Sequence, residues 1–233
     1  MIKVSAPGKI HLLGEHTVVY GKPALLSAIN LRVKITVGKK TDENFSLLRN
    51  VVNKLIQEKF KVKKIPDYSI ESGVPAGSGL GFSAASSAAI IAALLSHFKI
   101  KWDLNLINEL TFEAEKVFHG NPSGGDNTIV VNGGLLIFQK GVASPTTSKI
   151  KSFILIYSGK PTETTKDMIE IAKPKIKSIL DSQEELTKQL VIALRDGLEK
   201  DLLGIFQKAE KNLEKIGVVG KKAKKIIKEV ESL

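Results

Sequence analysis

The stretch of sequence with the clearest chemical potential is a glycine-rich loop. Its residues are Pro75, Ala76, Gly77, Ser78, Gly79, Leu80, Gly81, Phe82, Ser83, Ala84 and Ala85. Glycines at alternate positions permit positive φ angles that turn backbone N–H groups inward, and a following helix N-terminus adds donors and positive potential. These properties suit a polyphosphate, so the loop is predicted to be a phosphate cradle. A tight strand-to-helix turn without a ligand remains the alternative.

The loop matches neither of the two common nucleotide-binding loops. A Walker A loop ends in Gly-Lys-Ser or Gly-Lys-Thr, whereas this loop continues Gly81-Phe82-Ser83. The dinucleotide fingerprint needs a glycine three positions after Gly79, and Phe82 stands there. P-loop and Rossmann folds are therefore disfavoured.

Two further segments place a charged side chain among turn-forming residues. Asp126 lies within Gly120-Asn121-Pro122-Ser123-Gly124-Gly125-Asp126-Asn127, and Lys9 directly follows Pro7-Gly8. Taken alone, Asp126 fits an Asx turn better than a catalytic carboxylate, and a single lysine is usually a surface residue. The histidines form no His-Glu-x-x-His motif, which disfavours zinc catalysis.

Composition narrows the class of protein. The chain has 233 residues, 42% hydrophobic and 25% charged, which is typical of a folded globular protein, and it has no cysteine for thiol catalysis or disulfides. Its net charge is +11, and nearly all of its basic residues are lysines. The basic C-terminal run is predicted to be a solvated helix face and not a nucleic-acid surface. Because there is no apolar run of about 18 residues and no signal-peptide pattern, we expect no membrane association and a cytoplasmic location.

Hydrophobic periodicity predicts the elements that position these residues. Strands are predicted at Met1–Val4, Ile10–Leu13, Leu31–Val37, Tyr68–Glu71, Ile129–Phe138 and Phe153–Tyr157. Helices are predicted at Phe45–Phe60, Ser83–Phe98, from Asp103 or Asn105 to Phe118, at Thr165–Leu180, Glu184–Ile216 and Val218–Leu233. The helix from Ser83 is small or apolar on nearly every face, which indicates a buried helix. The change to an all-helical pattern predicts a domain boundary near residues 140–150.

Three segments, in their order and in their residues, resemble motifs of the GHMP family of small-molecule kinases. Residues 5–24, including Ser5-Ala6-Pro7-Gly8-Lys9 and Gly14-Glu15-His16, resemble the first family motif, and residues 75–85 resemble the second. Residues 115–127, with His119-Gly120-Asn121-Pro122-Ser123-Gly124-Gly125-Asp126-Asn127, resemble the block of the members that phosphorylate mevalonate. The resemblance extends over most of residues 1–170.

The resemblance implies both a fold and an activity. The implied fold is α+β and two-lobed, with an N-terminal mixed α/β domain at 1–148, its helices over a sheet, and a mostly helical C-terminal domain at 149–233. The implied activity is ATP-dependent phosphorylation of the 5-hydroxyl of mevalonate in isoprenoid biosynthesis. The alternatives are a related small alcohol as substrate, or a catalytically weak nucleotide-binding remnant.

The resemblance also implies roles for individual residues. Asp126 would be the base for the attacking hydroxyl with Lys9 beside it, and residues 75–85 would hold the ATP phosphates. Ser83 and Glu115 would hold Mg²⁺, a hard ion that prefers oxygen ligands. Four residues would line the substrate or phosphate region: Glu15, His16, Ser123 and Thr165.

Two departures from the family pattern affect these expectations. Where the family commonly has two serines after Gly-Leu-Gly, this sequence has Phe82 and then Ser83, so one phosphate contact is expected to be lost. The third glycine-rich family motif has no counterpart, and the C-terminal domain is therefore expected to be truncated. Either a missing C-terminal segment completes it, or another chain does so, as in a homodimer, or the protein works without these strands.

Overall fold

A computed structural model describes residues 1–39, 45–159 and 165–232. The described strands are Lys3–Leu13 (β1), Ala24–Val37 (β2), Tyr68–Ser72 (β3), Leu135–Gln139 (β4) and Val142–Thr146 (β5). The described α-helices are Ser46–Phe60 (α1), Phe82–His97 (α2), Leu104–His119 (α3), Gly125–Asn132 (α4), Thr165–Ala172 (α5), Leu180–Asp196 (α6), Glu199–Ile216 (α7) and Lys221–Glu231 (α8). The expected α+β class is confirmed.

The strands form one sheet in the order β1-β2-β4-β5, and β3 also pairs with β2. β2 and β3 are antiparallel with Ile35 opposite Ile70. β4 and β5 form a hairpin through Lys140 and Gly141, whose positive φ angles of 51° and 80° match the twist that two-residue hairpin turns need.

The chain divides into two compact units, each built from two segments of sequence. The first unit comprises Met1–Ile10 and Ser27–Gly134, and the second comprises His11–Leu26 and the chain from Leu135 onward. The boundary expected near residues 140–150, and the division into domains at 1–148 and 149–233, stay predictions.

The first unit is built around α2. Every residue from Ala84 to Leu95 is buried, and the helix packs against α1, α3 and α4. Small side chains let three helices approach it closely, which explains why its sequence carries no polar face. Asp103 caps α3 by accepting a hydrogen bond from the Leu106 N–H at 2.9 Å. Of the two expected starts of this helix, Asp103 and Asn105, Asp103 is therefore the capping residue.

The second unit contains the β4–β5 hairpin and a helical part. α6 packs against α7, and its core combines Leu13 and Leu25 with Leu186, Leu190 and Leu194 at helical spacing. A smaller apolar cluster comprises Ala172, Ile176, Ile179 and Ile216. In the described part of the chain, no helix has both the length and the hydropathy needed to cross a bilayer.

Several expected boundaries were wrong at the start and middle of the chain. The two expected N-terminal strands are one strand, because β1 continues through Pro7-Gly8. Residues Ile129–Asn132 are helical and not part of a strand, since Gly133 ends α4 with a φ of 72° and β4 starts only at Leu135. Burial of Ile129 and Val130 in the first unit overrides their β preference.

Later boundaries also differ from expectation. The long helix expected at 184–216 is interrupted at Gly197, which has a φ of 79° and ends α6. The helix expected from Thr165 to Leu180 ends at Ala172, just before Pro174, which cannot continue a helix. Phe153–Tyr157 have no regular secondary structure, because none of the five described strands pairs with them and a strand needs a partner.

Candidate active site

The glycine-rich loop has the conformation that its sequence predicts. Gly77, Gly79 and Gly81 have φ angles of 73°, 77° and 75°, a region that other residues rarely adopt. The Ser78 hydroxyl donates to the Pro75 carbonyl at 2.7 Å and accepts from the Leu80 N–H at 3.3 Å. α2 then begins at Phe82, and the N–H groups of its first turn have no acceptor within the helix. This arrangement suits an anion.

The loop packs directly on β1 at Gly8 and Lys9. The Lys9 N–H donates to the Leu80 carbonyl at 2.9 Å. A Cβ atom at Gly81 would lie 2.6 Å from Lys9 Cγ, and one at Gly8 would lie 2.9 Å from the Leu80 oxygen. Both positions therefore need glycine, and the stem of the Lys9 side chain lies against Gly81.

Lys9 forms an ion pair with Asp126. Lys9 Nζ lies 3.0 Å from Asp126 Oδ2, and the side chains are 7% and 34% exposed. Asp126 occupies the first turn of α4, so the turn from Gly120 ends in a helix at this point and the Asx-turn alternative does not describe it. A nearly buried ammonium thus holds a carboxylate that is still accessible to a small molecule.

Polar contacts that sequence reasoning missed fix α4 on α3. Asn127 Nδ2 donates to Asn108 Oδ1 at 2.7 Å, and Asn108 Nδ2 donates to the Thr128 hydroxyl at 3.5 Å. Asn108 precedes Glu115 by seven residues, which places both on one face of α3. This spacing of seven residues could have indicated from the sequence that Asn108 belongs to the site. These bonds set the position of Asp126 relative to Glu115.

Glu115 is a buried carboxyl in the same unit. It is 1% exposed, and its Oε1 atom has no hydrogen-bond partner among the described residues. Burial raises the pKa of Glu115 to about 7, an effect that the nearby charge of Asp126 reinforces and that a hydrogen bond from Ser83 and the charge of Lys9 oppose. Asp126 is partly exposed and paired with Lys9, whereas Glu115 is buried. Two carboxylates in such different environments can serve different chemical roles.

His119, the last residue of α3, lies beside the two residues expected to hold a metal ion. Its Nε2 atom lies 3.3 Å from Ser83 Oγ and 3.4 Å from Glu115 Oε2. Burial lowers the pKa of the His119 ring. His119 lies in the segment 115–127 that resembles the family, but the sequence alone did not indicate a role for it.

The Ser83 and Glu115 side chains fit the expected Mg²⁺. Both present oxygen atoms, and a buried carboxylate oxygen without a partner is the kind of group that a hard cation satisfies. The described residues contain no cluster of three or more His, Cys, Asp or Glu that could hold a metal ion.

The remaining expected site residues have mixed outcomes. The Ser123 hydroxyl accepts from the Gly125 N–H at 3.2 Å at the start of α4, close in sequence to Asp126. Glu15 and His16 belong to the second unit, where the Glu15 carbonyl accepts from the Thr17 N–H at 2.6 Å and His16 has a φ of 60°. Burial lowers the pKa of His16. Thr165 is the first residue of α5, and its side chain lies outside the described residues.

Comparison with protein families identifies this domain. Residues 46–134 match the model described as the GHMP kinases N terminal domain, and residues 2–39 match the galactokinase galactose-binding signature. Residues 46–134 are therefore similar to a GHMP kinase N-terminal domain. The first of these two matches ends at Gly134, where the first unit also ends, and it contains Ser83, Glu115, His119 and Asp126.

Relatives and solved structures agree with the domain match. The mevalonate kinase of Mus musculus is 30% identical over 74% of this chain, and that of Archaeoglobus fulgidus is 35% identical over 68%. The chain spans 62% and 59% of the length of these two relatives. The crystal structure of L. major mevalonate kinase in complex with R-mevalonate superposes with a TM-score of 0.74 at 22% identity, over 95% of this chain and 77% of that one. The chain therefore has the GHMP kinase fold.

Proposed function

We propose that this chain catalyses ATP-dependent phosphorylation of the 5-hydroxyl of mevalonate. The observation that carries the proposal is the Lys9–Asp126 ion pair at 3.0 Å, with Lys9 lying against the glycine-rich loop. An accessible carboxylate beside a phosphate cradle is what transfer of a phosphoryl group to an alcohol needs, because positioning and charge neutralisation supply most of the catalysis.

In the proposed reaction Asp126 accepts the proton of the mevalonate hydroxyl. The hydroxyl oxygen forms a bond to the γ-phosphorus as the bond between that phosphorus and the ADP oxygen breaks. Lys9 pairs with the Asp126 carboxylate and offsets the charge that develops on the transferred group. Gly79 leaves open space for phosphate oxygens, and the first turn of α2 offers N–H donors.

Ser83 and Glu115 are the side chains that would hold Mg²⁺. Bound Mg²⁺ would neutralise phosphate charge during transfer. We also propose that four residues contact the substrate or the phosphates: Ser123, Glu15, His16 and Thr165. The proposed location of the protein is the cytoplasm. The two curated relatives named mevalonate kinase support the choice of substrate.

Galactose is a second candidate substrate. The galactokinase galactose-binding signature matches residues 2–39, which include Lys9, and this observation favours a sugar hydroxyl as the acceptor. The two candidates use the same phosphate cradle and the same Asp126, and they differ only in the acceptor.

A substrate panel distinguishes these functions. ADP release is measured with ATP and Mg²⁺ in the presence of mevalonate, phosphomevalonate, galactose or homoserine. We expect release to depend on mevalonate, with the other acceptors at background. Release that depends on galactose instead would favour the second candidate, and binding of ATP without any acceptor-dependent release would indicate a nucleotide-binding protein without this activity.

A further inference from the structure

Three donor atoms converge beside the phosphate cradle. The His119 Nε2 atom lies 3.3 Å from Ser83 Oγ and 3.4 Å from Glu115 Oε2. The three side chains come from the first turn of α2 and the last two turns of α3. They therefore form a triangle of one hydroxyl oxygen, one carboxylate oxygen and one ring nitrogen.

The two distances from His119 fit the ligand sphere of a small dication. Donors about 2.1 Å from one ion are roughly 3.0 Å apart at octahedral corners and roughly 3.4 Å apart at tetrahedral corners. The distances of 3.3 and 3.4 Å from the ring nitrogen to the two oxygens fall within this range. The spacing of the His119 nitrogen from both oxygens is therefore that of ligands sharing one small ion.

A second observation indicates that the cluster lacks a ligand. Glu115 is 1% exposed, yet its Oε1 atom has no hydrogen-bond partner among the described residues. Leaving a buried carboxylate oxygen unsatisfied is costly. A cation held by the same carboxylate would remove that cost.

We propose that His119 is itself a ligand of the cation held by Ser83 and Glu115, and that this site prefers first-row transition dications such as Mn²⁺ to Mg²⁺. Imidazole nitrogen binds such ions more strongly than it binds Mg²⁺, which prefers oxygen ligands alone. The inference deepens the proposed function, because it concerns the cation of the same site.

The test measures Mn²⁺ binding to the nucleotide-free full chain. Electron paramagnetic resonance titration gives the affinity, and electron spin-echo modulation detects a nitrogen nucleus coordinated to the ion. Wild type is compared with His119→Gln and with His97→Gln, a matched control because His97 is the last residue of α2 as His119 is of α3. We expect nitrogen modulation in wild type and His97→Gln, its loss in His119→Gln, and Mn²⁺ affinity at least about tenfold lower in that variant.

Competition with Mg²⁺ completes the test. Wild type should bind Mn²⁺ at least about tenfold more tightly than Mg²⁺, and His119→Gln should reduce this preference. Absence of Mn²⁺ binding or of nitrogen modulation in wild type, or modulation that persists in His119→Gln, would overturn the inference and leave His119 as a hydrogen-bonding neighbour of Glu115. The substrate panel with Mg²⁺ is run separately, so nitrogen coordination without phosphoryl transfer would refute the proposed function alone.

Discussion

At the scale of single residues, the site contrasts two carboxylates. Asp126 is one-third exposed and paired with Lys9, whereas Glu115 is buried and burial raises its pKa to about 7. An accessible carboxylate can receive a proton from a substrate, and a buried one can hold an ion but destabilises the empty protein. The two roles have opposite consequences for stability.

Glu115→Gln is expected to stabilise the metal-free protein at high pH. The pKa of Glu115 is higher in the folded state than its ordinary value of 4.5, so folding stability falls as pH rises from 4.5 to about 7 and stays low above that. The variant removes a penalty of about 3 kcal/mol at pH 8 and little at pH 5. Calorimetric melting in EDTA at both pH values measures this difference.

The control for this prediction is Glu113→Gln on the same helix. Glu113 is 42% exposed and pairs with Lys116 at 2.7 Å, so its replacement should change the melting temperature little at either pH. A Glu115→Gln variant that differs from wild type by the same amount at pH 5 and pH 8 would refute the burial penalty.

At the scale of elements, the glycine-rich loop and β1 act together. Gly79 and Gly81 have nearly equal positive φ angles, but a Cβ atom at Gly79 meets nothing within 4 Å, whereas one at Gly81 lies 2.6 Å from Lys9 Cγ. The same substitution therefore costs a similar backbone strain of roughly 1 kcal/mol at both positions. Only at Gly81 does it also displace the Lys9 side chain.

Gly79→Ala and Gly81→Ala should thus have different kinetic effects. We expect Gly79→Ala to weaken ATP binding, since its methyl group occupies the open space of the cradle, and to leave turnover within a few-fold of wild type. Gly81→Ala should lower turnover at least about tenfold, because Lys9 no longer pairs with Asp126 as in wild type. Calorimetry of ATP binding and steady-state rates separate the two effects. Equal losses of turnover would contradict this account of the loop.

Sequence patterns predicted the elements that local rules determine and missed those that tertiary packing determines. The positive φ angles of the loop and the buried helix after it followed from Gly77, Gly79, Gly81 and the small residues of α2. The helical conformation of Ile129–Asn132 did not, because β-branched residues favour strands unless a core buries them in a helix. The pairing of Lys9 with Asp126 was implied only by family resemblance, since the two residues are distant in sequence.

At the scale of the whole molecule, an ionic cluster in the second unit joins distant segments of the chain. Lys22 donates to Glu184 Oε2 at 2.6 Å and to Asp181 Oδ1 at 2.8 Å. Lys188 and Lys22 hold the pKa of Glu184 well below its ordinary value, at about 2. Lys22 closely follows the segment that carries Glu15 and His16, so this cluster fixes that segment to α6 within the unit.

Glu184→Gln is expected to lower the melting temperature at neutral pH, and more than Asp181→Asn does. Glu184 is 22% exposed and Asp181 is 98% exposed, so solvent screens the second ion pair more. Because the folded pKa of Glu184 is depressed, its contribution is complete above pH 4.5 and is lost as pH falls towards about 2. Thermal melting at pH 7 and pH 3 tests this. A variant difference that does not shrink at pH 3 would show that the charge of Glu184 is not its source.

The central claim, that Asp126 serves transfer of phosphate from ATP to mevalonate, is tested most directly by ³¹P nuclear magnetic resonance of the product. Wild type and Asp126→Asn are incubated with ATP, Mg²⁺ and mevalonate, and ATP affinity is measured in parallel. We expect a phosphate monoester on the 5-oxygen with wild type, and formation at least about a hundredfold slower with the variant at an ATP affinity within a few-fold. No monoester with wild type, or equal rates for the two proteins, would contradict the account.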